Sequence, residues 1–190
     1  MTEFRGAEAT VEVGDTAVKN RPKKAYRHPD LDERLRRGRT EDEARLLERA
    51  EKYGVAVPGL VEASEFELEM ETVDGDRLKH RLPGAAVMER LGTEVARLHS
   101  CQIIHGDLTT SNVVVSSGEP FLIDFGLAYT SERVEDRAVD IHLLHQVLRS
   151  SHPEIAAGSW DAFLEGYSEL DGYDSVVDTV EDVRSRRRYA

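Results

Sequence analysis

IIHGDLTTSNVVVSSGEPFLIDFGLA, residues 103–128, contains two groups of polar residues separated by a β-hairpin pattern. The first group is His105-Gly-Asp107-Leu-Thr-Thr-Ser-Asn112, and the second, twelve residues past Asn112, is Asp124-Phe125-Gly126. Between them, two apolar runs, Val113 to Val115 and Phe121 to Ile123, flank Ser-Ser-Gly-Glu, which reads as loop, hairpin and turn. Phosphoryl transfer needs a carboxylate that orients the accepting hydroxyl and oxygen ligands that hold magnesium on the nucleotide's phosphates. Asp107, Asn112 and Asp124 supply those groups in that order. An Asp near an Asn is usually only a turn, so the combination carries the reading and neither piece does alone.

The spacing H-x-D-L-x-x-x-N is similar to the protein-kinase catalytic loop, and D-F-G to its metal-binding turn. A lysine that reaches the α- and β-phosphates and a helix glutamate that pairs with it should then lie upstream. Residues 3–20 alternate and turn at Gly14-Asp15, an antiparallel β start that Lys19 closes as the end of a third strand. Gly6-Ala-Glu-Ala9 sits where a phosphate-covering loop would be. It has one glycine, so an ordinary tight turn remains open. Thr40 opens an expected helix to Tyr53, with Leu46, Leu47 and Ala50 on one stripe. Glu43 then has two uses: a capping box with Thr40, or the ion pair with Lys19, which the downstream loop favours. The intervening segment Arg21 to Arg39 is basic and reads as a solvated connection or a docking surface for nucleic acid or an acidic partner.

Two more strands are expected at Gly59 to Ala63 and Phe66 to Thr72, completing five. The polar connection that follows is where an adenine edge would meet backbone groups of about Glu71 to Val73. Beyond Pro83 the apolar period turns helical, with Val87, Leu91, Val95 and Leu98 on one face. Further helices are expected over 133–148, 159–170 and 173–183, with Trp160 and Phe163 as core anchors in the second. His142 and His145 share a helix face, but with no third ligand beside them they read as polar groups of core or surface.

At 190 residues the chain suits one compact unit: an N-terminal lobe over 1–72, a C-terminal lobe over 73–183 and a basic tail over 184–190. The formal net charge is -12, and among the bases only Lys19, Lys23, Lys24, Lys52 and Lys79 are lysine. This acid-rich, lysine-poor composition resembles that of halophile cytosolic proteins. Disorder is the competing reading of high charge, and the periodic apolar blocks exclude it. No apolar run could span a bilayer, and MTEFRGAEAT lacks the layout of a signal peptide, so a cytoplasmic protein without membrane partners is expected. A single cysteine, Cys101, excludes an internal disulfide.

With those residues in hand, the chain resembles the small atypical protein kinase of the KEOPS complex, the PRPK family. The resemblance rests on Gly6-Ala-Glu-Ala9, Val18-Lys19-x-Arg21, Tyr26-Arg-His-Pro29, Leu31-Asp32, Arg39-Thr40 with Glu43-Ala-Arg45, His105 to Asn112, Ile123-Asp-Phe-Gly126 and Glu135-Asp136 with Ala138-Val-Asp140. It implies an α+β, minimal bilobal kinase-like fold with an antiparallel sheet lobe, one helix there, and a reduced helical C-terminal lobe. It also implies ATP and magnesium, Lys19 paired with Glu43, Asp107 as catalytic aspartate, and Asn112 and Asp124 as metal ligands. The implied activity is that of an atypical serine/threonine kinase and ATPase. The implied partners are the KEOPS subunit that installs threonylcarbamoyl on tRNA adenosine, other KEOPS subunits, and tRNA through the basic tail. Gly106 stands where an ordinary kinase has arginine, and nine residues separate Gly126 from Asp136, leaving little room for peptide docking. Two other readings stay open: a small-molecule phosphotransferase of the aminoglycoside type, and a non-catalytic nucleotide- or tRNA-binding scaffold.

Overall fold

Short alternating segments and tight turns build the first sheet. The computed structural model describes residues 2–6, 8–80 and 84–187, with side chains described as far as residue 183. Strands β1 (Thr2–Arg5), β2 (Thr10–Val13) and β3 (Thr16–Asn20) form an antiparallel meander. With β4 (Leu60–Ala63) and β5 (Glu67–Glu71) they make a five-stranded sheet in the order β1-β2-β3-β5-β4. Lys19 is opposite Val11 on one side and Leu68 on the other, which fixes the face on which its side chain emerges.

Helix α1 (Pro29–Lys52) packs on β4 and β5 and buries Leu46, Leu47 and Ala50, the stripe expected from the sequence. It starts eleven residues before Thr40, with Pro29 in its first turn, where proline's missing N–H costs nothing. Thr40 is therefore inside the helix and cannot cap it. Its hydroxyl donates to the Arg36 carbonyl at 2.9 Å and accepts from Arg21 at 3.2 Å. The capping-box alternative for Glu43 falls with the helix start. The basic stretch is likewise no plain solvated connection. Arg21 is buried, and Arg36 reaches Asp32 at 2.9 Å and stacks on Phe66, 4.0 Å from its ring centre.

A two-residue strand β6 (Asp76–Arg77) leads out of the sheet and pairs with the hairpin β8 (Val113–Ser116) and β9 (Glu119–Leu122). Between them, α2 (Ala85–Ser100) carries the chain to β7 (Ile103–Ile104), which pairs with β10 (Tyr129–Thr130). Helices α3 (Val134–Ser151), α4 (Ala156–Tyr167) and α5 (Tyr173–Arg187) complete the second half. The sequence pattern located every long helix. It missed β6, β7 and β10, because two-residue strands carry no alternation to detect.

The core lies among α2, α3, α4 and the hairpin, where Leu91, Leu98, Val113, Leu122, Phe163 and Leu144 are fully buried. Each such Leu or Phe contributes about 1.5–3 kcal/mol. Helices α2 and α4 cross where Gly92 meets Gly166. A Cβ on Gly166 would stand 1.8 Å from the Glu89 carbonyl oxygen, so any side chain there would push the helices apart. Among the described residues no helix is long and apolar enough to cross a membrane. The basic segment expected as a tail continues α5 as far as Arg187. The side chains of residues 184–187, and all of 188–190, lie outside what is described.

Candidate active site

Four segments deliver the site. Lys19 comes from β3 and Glu43 from α1. Asp107 and Asn112 come from the loop after β7, and Asp124 from the turn after β9. Lys19 Nζ lies 2.6 Å from Glu43 Oε1 and 2.7 Å from Asp124 Oδ1, joining the two halves of the molecule through one buried ammonium. Of the two uses open to Glu43 in the sequence, the structure shows the ion pair. The pair has a third member, since Arg21 also holds Glu43, through Oε2. Lys19 and Arg21 are two residues apart, a spacing that points both to one face of an extended chain. That spacing was the sequence signal for Arg21, to which no role was given.

The catalytic-type loop is held from below by Asp140 of α3, whose sequence motif was noted without a role. Its carboxylate accepts the backbone N–H of His105 at 2.8 Å and of Gly106 at 3.0 Å. It also accepts His99 Nε2–H at 3.1 Å, while His99 Nδ1 faces the Tyr167 hydroxyl at 2.7 Å. Burial disfavours the charge on Asp140, but its bonds to His99 and the His105 amide outweigh that and hold the carboxyl below the usual range. Burial pushes the Tyr167 phenol far up, so its proton stays on. No local sequence pattern announces this chain, because its members come from α2, α3 and α4.

Gly106 has φ +78°, and a Cβ there would stand 2.2 Å from the Leu127 carbonyl oxygen. The absence of arginine at this position thus has a steric cause as well. Asp107 is half-buried. Asn112 Nδ2 donates to the Asp107 carbonyl at 2.9 Å and to Asp107 Oδ2 at 2.8 Å, which leaves the Asn112 amide oxygen as an acceptor for a cation. His105 Nε2 bonds the Ile123 carbonyl at 3.1 Å and ties the loop to the turn. Asp124 itself has φ +65°, left-handed backbone that a non-glycine residue adopts at some cost and that recurs at functional sites. Burial acts against its charge, yet the Lys19 ammonium, the Gly126 N–H and His105 hold its carboxyl below the usual range.

These residues line a cleft with two compartments. The inner one, about 240 Å³, has apolar walls from Val11, Ala17, Met70, Val114 and Ile123 and also reaches Glu71, Val73, Asn112 and Asp124. The outer one, about 420 Å³, is bounded by Gly6, Lys19, Arg77, Asp107 and Asp124. Two expected contacts are narrower than the sequence allowed. The Glu71 N–H is committed to the Gly59 carbonyl at 2.8 Å, so of the groups expected to meet an adenine edge it is not available. The Gly6 N–H closes a tight turn onto the Ala9 carbonyl at 2.9 Å. That turn is tied to the segment beyond β3 by Glu8, which binds Arg27 and Arg39, each at 2.8 Å. Cys101 is buried, and burial raises its thiol pKa.

A sheet lobe and a helical lobe that share a lysine, a glutamate and two aspartates at one cleft define a protein-kinase-like fold. The RIO domain family matches residues 10–149. The KEOPS complex subunit Bud32 of Pyrococcus abyssi is 38% identical over 183 residues, covering 90% of this chain and 83% of that one. A probable bifunctional tRNA threonylcarbamoyladenosine biosynthesis protein of Methanospirillum hungatei is 44% identical over 187 residues, covering 97% of this chain and 36% of the other. The chain thus spans about a third of the length of such bifunctional relatives. Among solved structures, the Rio2 kinase of Chaetomium thermophilum superposes with a TM-score of 0.69 at 14% identity, over 100% of this chain and 72% of that one. The chain belongs to the RIO domain family, and its curated relatives are Bud32 and the bifunctional tRNA threonylcarbamoyladenosine biosynthesis proteins.

Proposed function

We propose that this chain is an ATP- and magnesium-dependent phosphotransferase, a serine/threonine kinase and ATPase that works with KEOPS subunits in tRNA threonylcarbamoyladenosine synthesis. The observation that carries the reading is the Lys19 ammonium bound at once to Glu43 and Asp124, in a cleft that also receives Asp107 and Asn112. The donor set fits the groups it would hold. Asn112 keeps a free amide oxygen, and Asp124 offers a carboxylate more than half exposed, so both suit a hard cation. The apolar walls of the inner compartment suit a flat purine ring, and Lys19 suits the α- and β-phosphates. When bound, magnesium would neutralise charge on the phosphates. Asp107, fixed by Asn112 and by the Asp140-anchored backbone, orients the accepting oxygen and takes its proton.

The implied partners follow from the relatives. Bud32 is named a KEOPS subunit, and most of each bifunctional relative lies outside the match. The partner of this chain is then a protein like that remaining portion, met either as a separate subunit or in the same polypeptide. Contact with tRNA through residues 184–190 belongs to the same proposal. Labelled ATP and magnesium with the purified chain, with and without tRNA and partner, test the chemistry through phosphate release and self-labelling. Asp124→Ala should lower magnesium-dependent turnover a hundredfold or more, about 3 kcal/mol of transition-state stabilisation. Turnover equal to wild type in that variant would sink the assignment.

A further inference from the structure

Arg77 has no part in the machinery described above, yet it stands at the junction of the two compartments. It lies on β6 opposite Val114 and lines the inner side with Val73 and Asn112 and the outer side with Gly6 and Asp107. Its guanidinium lies over the Phe4 ring, 4.9 Å from the centroid, and its Nη1 donates to the Ser111 carbonyl at 3.3 Å. Phe4 belongs to the sheet and Ser111 directly precedes Asn112, so this one side chain bridges the lobes across the cleft.

The other cations that line the cleft are committed to carboxylates. Lys19 serves Glu43 and Asp124, Arg21 serves Glu43, Arg39 serves Glu8 and Arg5 serves Glu3. Among the described residues, Arg77 has a ring face and a carbonyl and no carboxylate within ion-pair distance. A guanidinium has five N–H donors, and stacking uses none of them. The loop from Asp107 to Asn112 contributes no cation of its own, while Asp107 and Asp124 place negative charge in the cleft of a protein whose net charge is -12. A polyphosphate entering there meets repulsion that Lys19, shared with two carboxylates, offsets only in part. A half-buried guanidinium set over an aromatic ring, with one N–H spent on the Ser111 carbonyl and the rest of its fork available, is built to grip such an anion with parallel hydrogen bonds.

We propose that Arg77 binds the phosphate groups of the nucleoside di- or triphosphate from the junction of the two compartments, and that Phe4 holds its guanidinium in place. This rests on the nucleotide reading of the cleft, so the test measures binding, not turnover. Dissociation constants of adenosine, ADP and ATP with magnesium are measured by calorimetry on the full chain, for wild type, Arg77→Met, Arg77→Lys and Phe4→Leu, with melting curves to verify folding. Arg77→Met should weaken ADP and ATP by about tenfold to a hundredfold while changing adenosine by no more than about twofold. Arg77→Lys should recover part of the loss, since a point charge replaces a fork. Phe4→Leu should weaken ATP by less than Arg77→Met. Equal ATP affinity in Arg77→Met overturns the proposal, as does an equal loss for adenosine, which would make Arg77 a wall of the base pocket. A wild-type chain that binds none of the three removes the nucleotide reading itself. Binding by wild type with no effect at Arg77 removes this inference alone.

Discussion

Replacing Glu43 should cost more stability than replacing Lys19, although both should stop turnover. Glu43 is 2% exposed and lies between two cations that are 5% and 3% exposed, Lys19 and Arg21. In Glu43→Ala, Lys19 keeps Asp124 at 2.7 Å. Among the described residues, Arg21 then keeps only the Thr40 hydroxyl at 3.2 Å and becomes a buried cation without a carboxylate. Breaking a buried pair from one side costs about 3–5 kcal/mol. For a chain of this size that is a fall in melting temperature of roughly 6–20 °C. In Lys19→Ala, Glu43 keeps Arg21 and the half-exposed Asp124 turns to water, so about 1–3 kcal/mol is expected from the lost charged hydrogen bonds. The double variant should be hardly less stable than Glu43→Ala alone, because the two changes share one cluster. Adding Arg21→Met to Glu43→Ala should restore stability by removing the orphaned cation, and should not restore turnover. Urea titrations beside single-turnover rates decide the matter. A cost of only ~1 kcal/mol for Glu43→Ala, with no gain from Arg21→Met, would refute the three-member cluster.

Asp107→Asn should lower the maximal rate far more than nucleotide affinity if, as proposed, the carboxylate acts on the accepting oxygen; a mutant impaired chiefly in nucleotide binding would reassign the residue. Asp140→Asn should cost about 1–3 kcal/mol for each backbone N–H it leaves unpaired at His105 and Gly106, and should slow turnover without touching the cleft. The Asp140 carboxyl titrates lower in the folded chain than in the unfolded one, so its stabilisation is complete above the unfolded value of about 4 and is lost as pH falls through the folded value. The difference in melting temperature between wild type and Asp140→Asn should therefore shrink on acidification below about pH 4; a gap independent of pH contradicts the ionised anchor.

Much of this protein is local and could be read from the chain. The helical period of Val87, Leu91, Val95 and Leu98 places α2, the hairpin signal between Asn112 and Asp124 places the loop and the turn, and the spacing of Asp107, Asn112 and Asp124 is what led to the phosphoryl-transfer proposal. These signals survive because each depends on neighbours within a few residues. The start of α1 was legible too, in Pro29. Thr40 with Glu43 offered a competing cap, and sequence spacing alone does not say which residue is first in a helix. What only the tertiary structure decided is which partner each charged group finds. Glu43 has two cations instead of one, Arg21 is buried, Asp140 anchors the loop from another helix, and Arg77 meets Phe4 across the cleft. The members of these pairs come from segments that are far apart in sequence and joined only by folding. An ion pair or a stack is defined by distance and burial, and neither leaves a period, a cap or a spacing in the sequence.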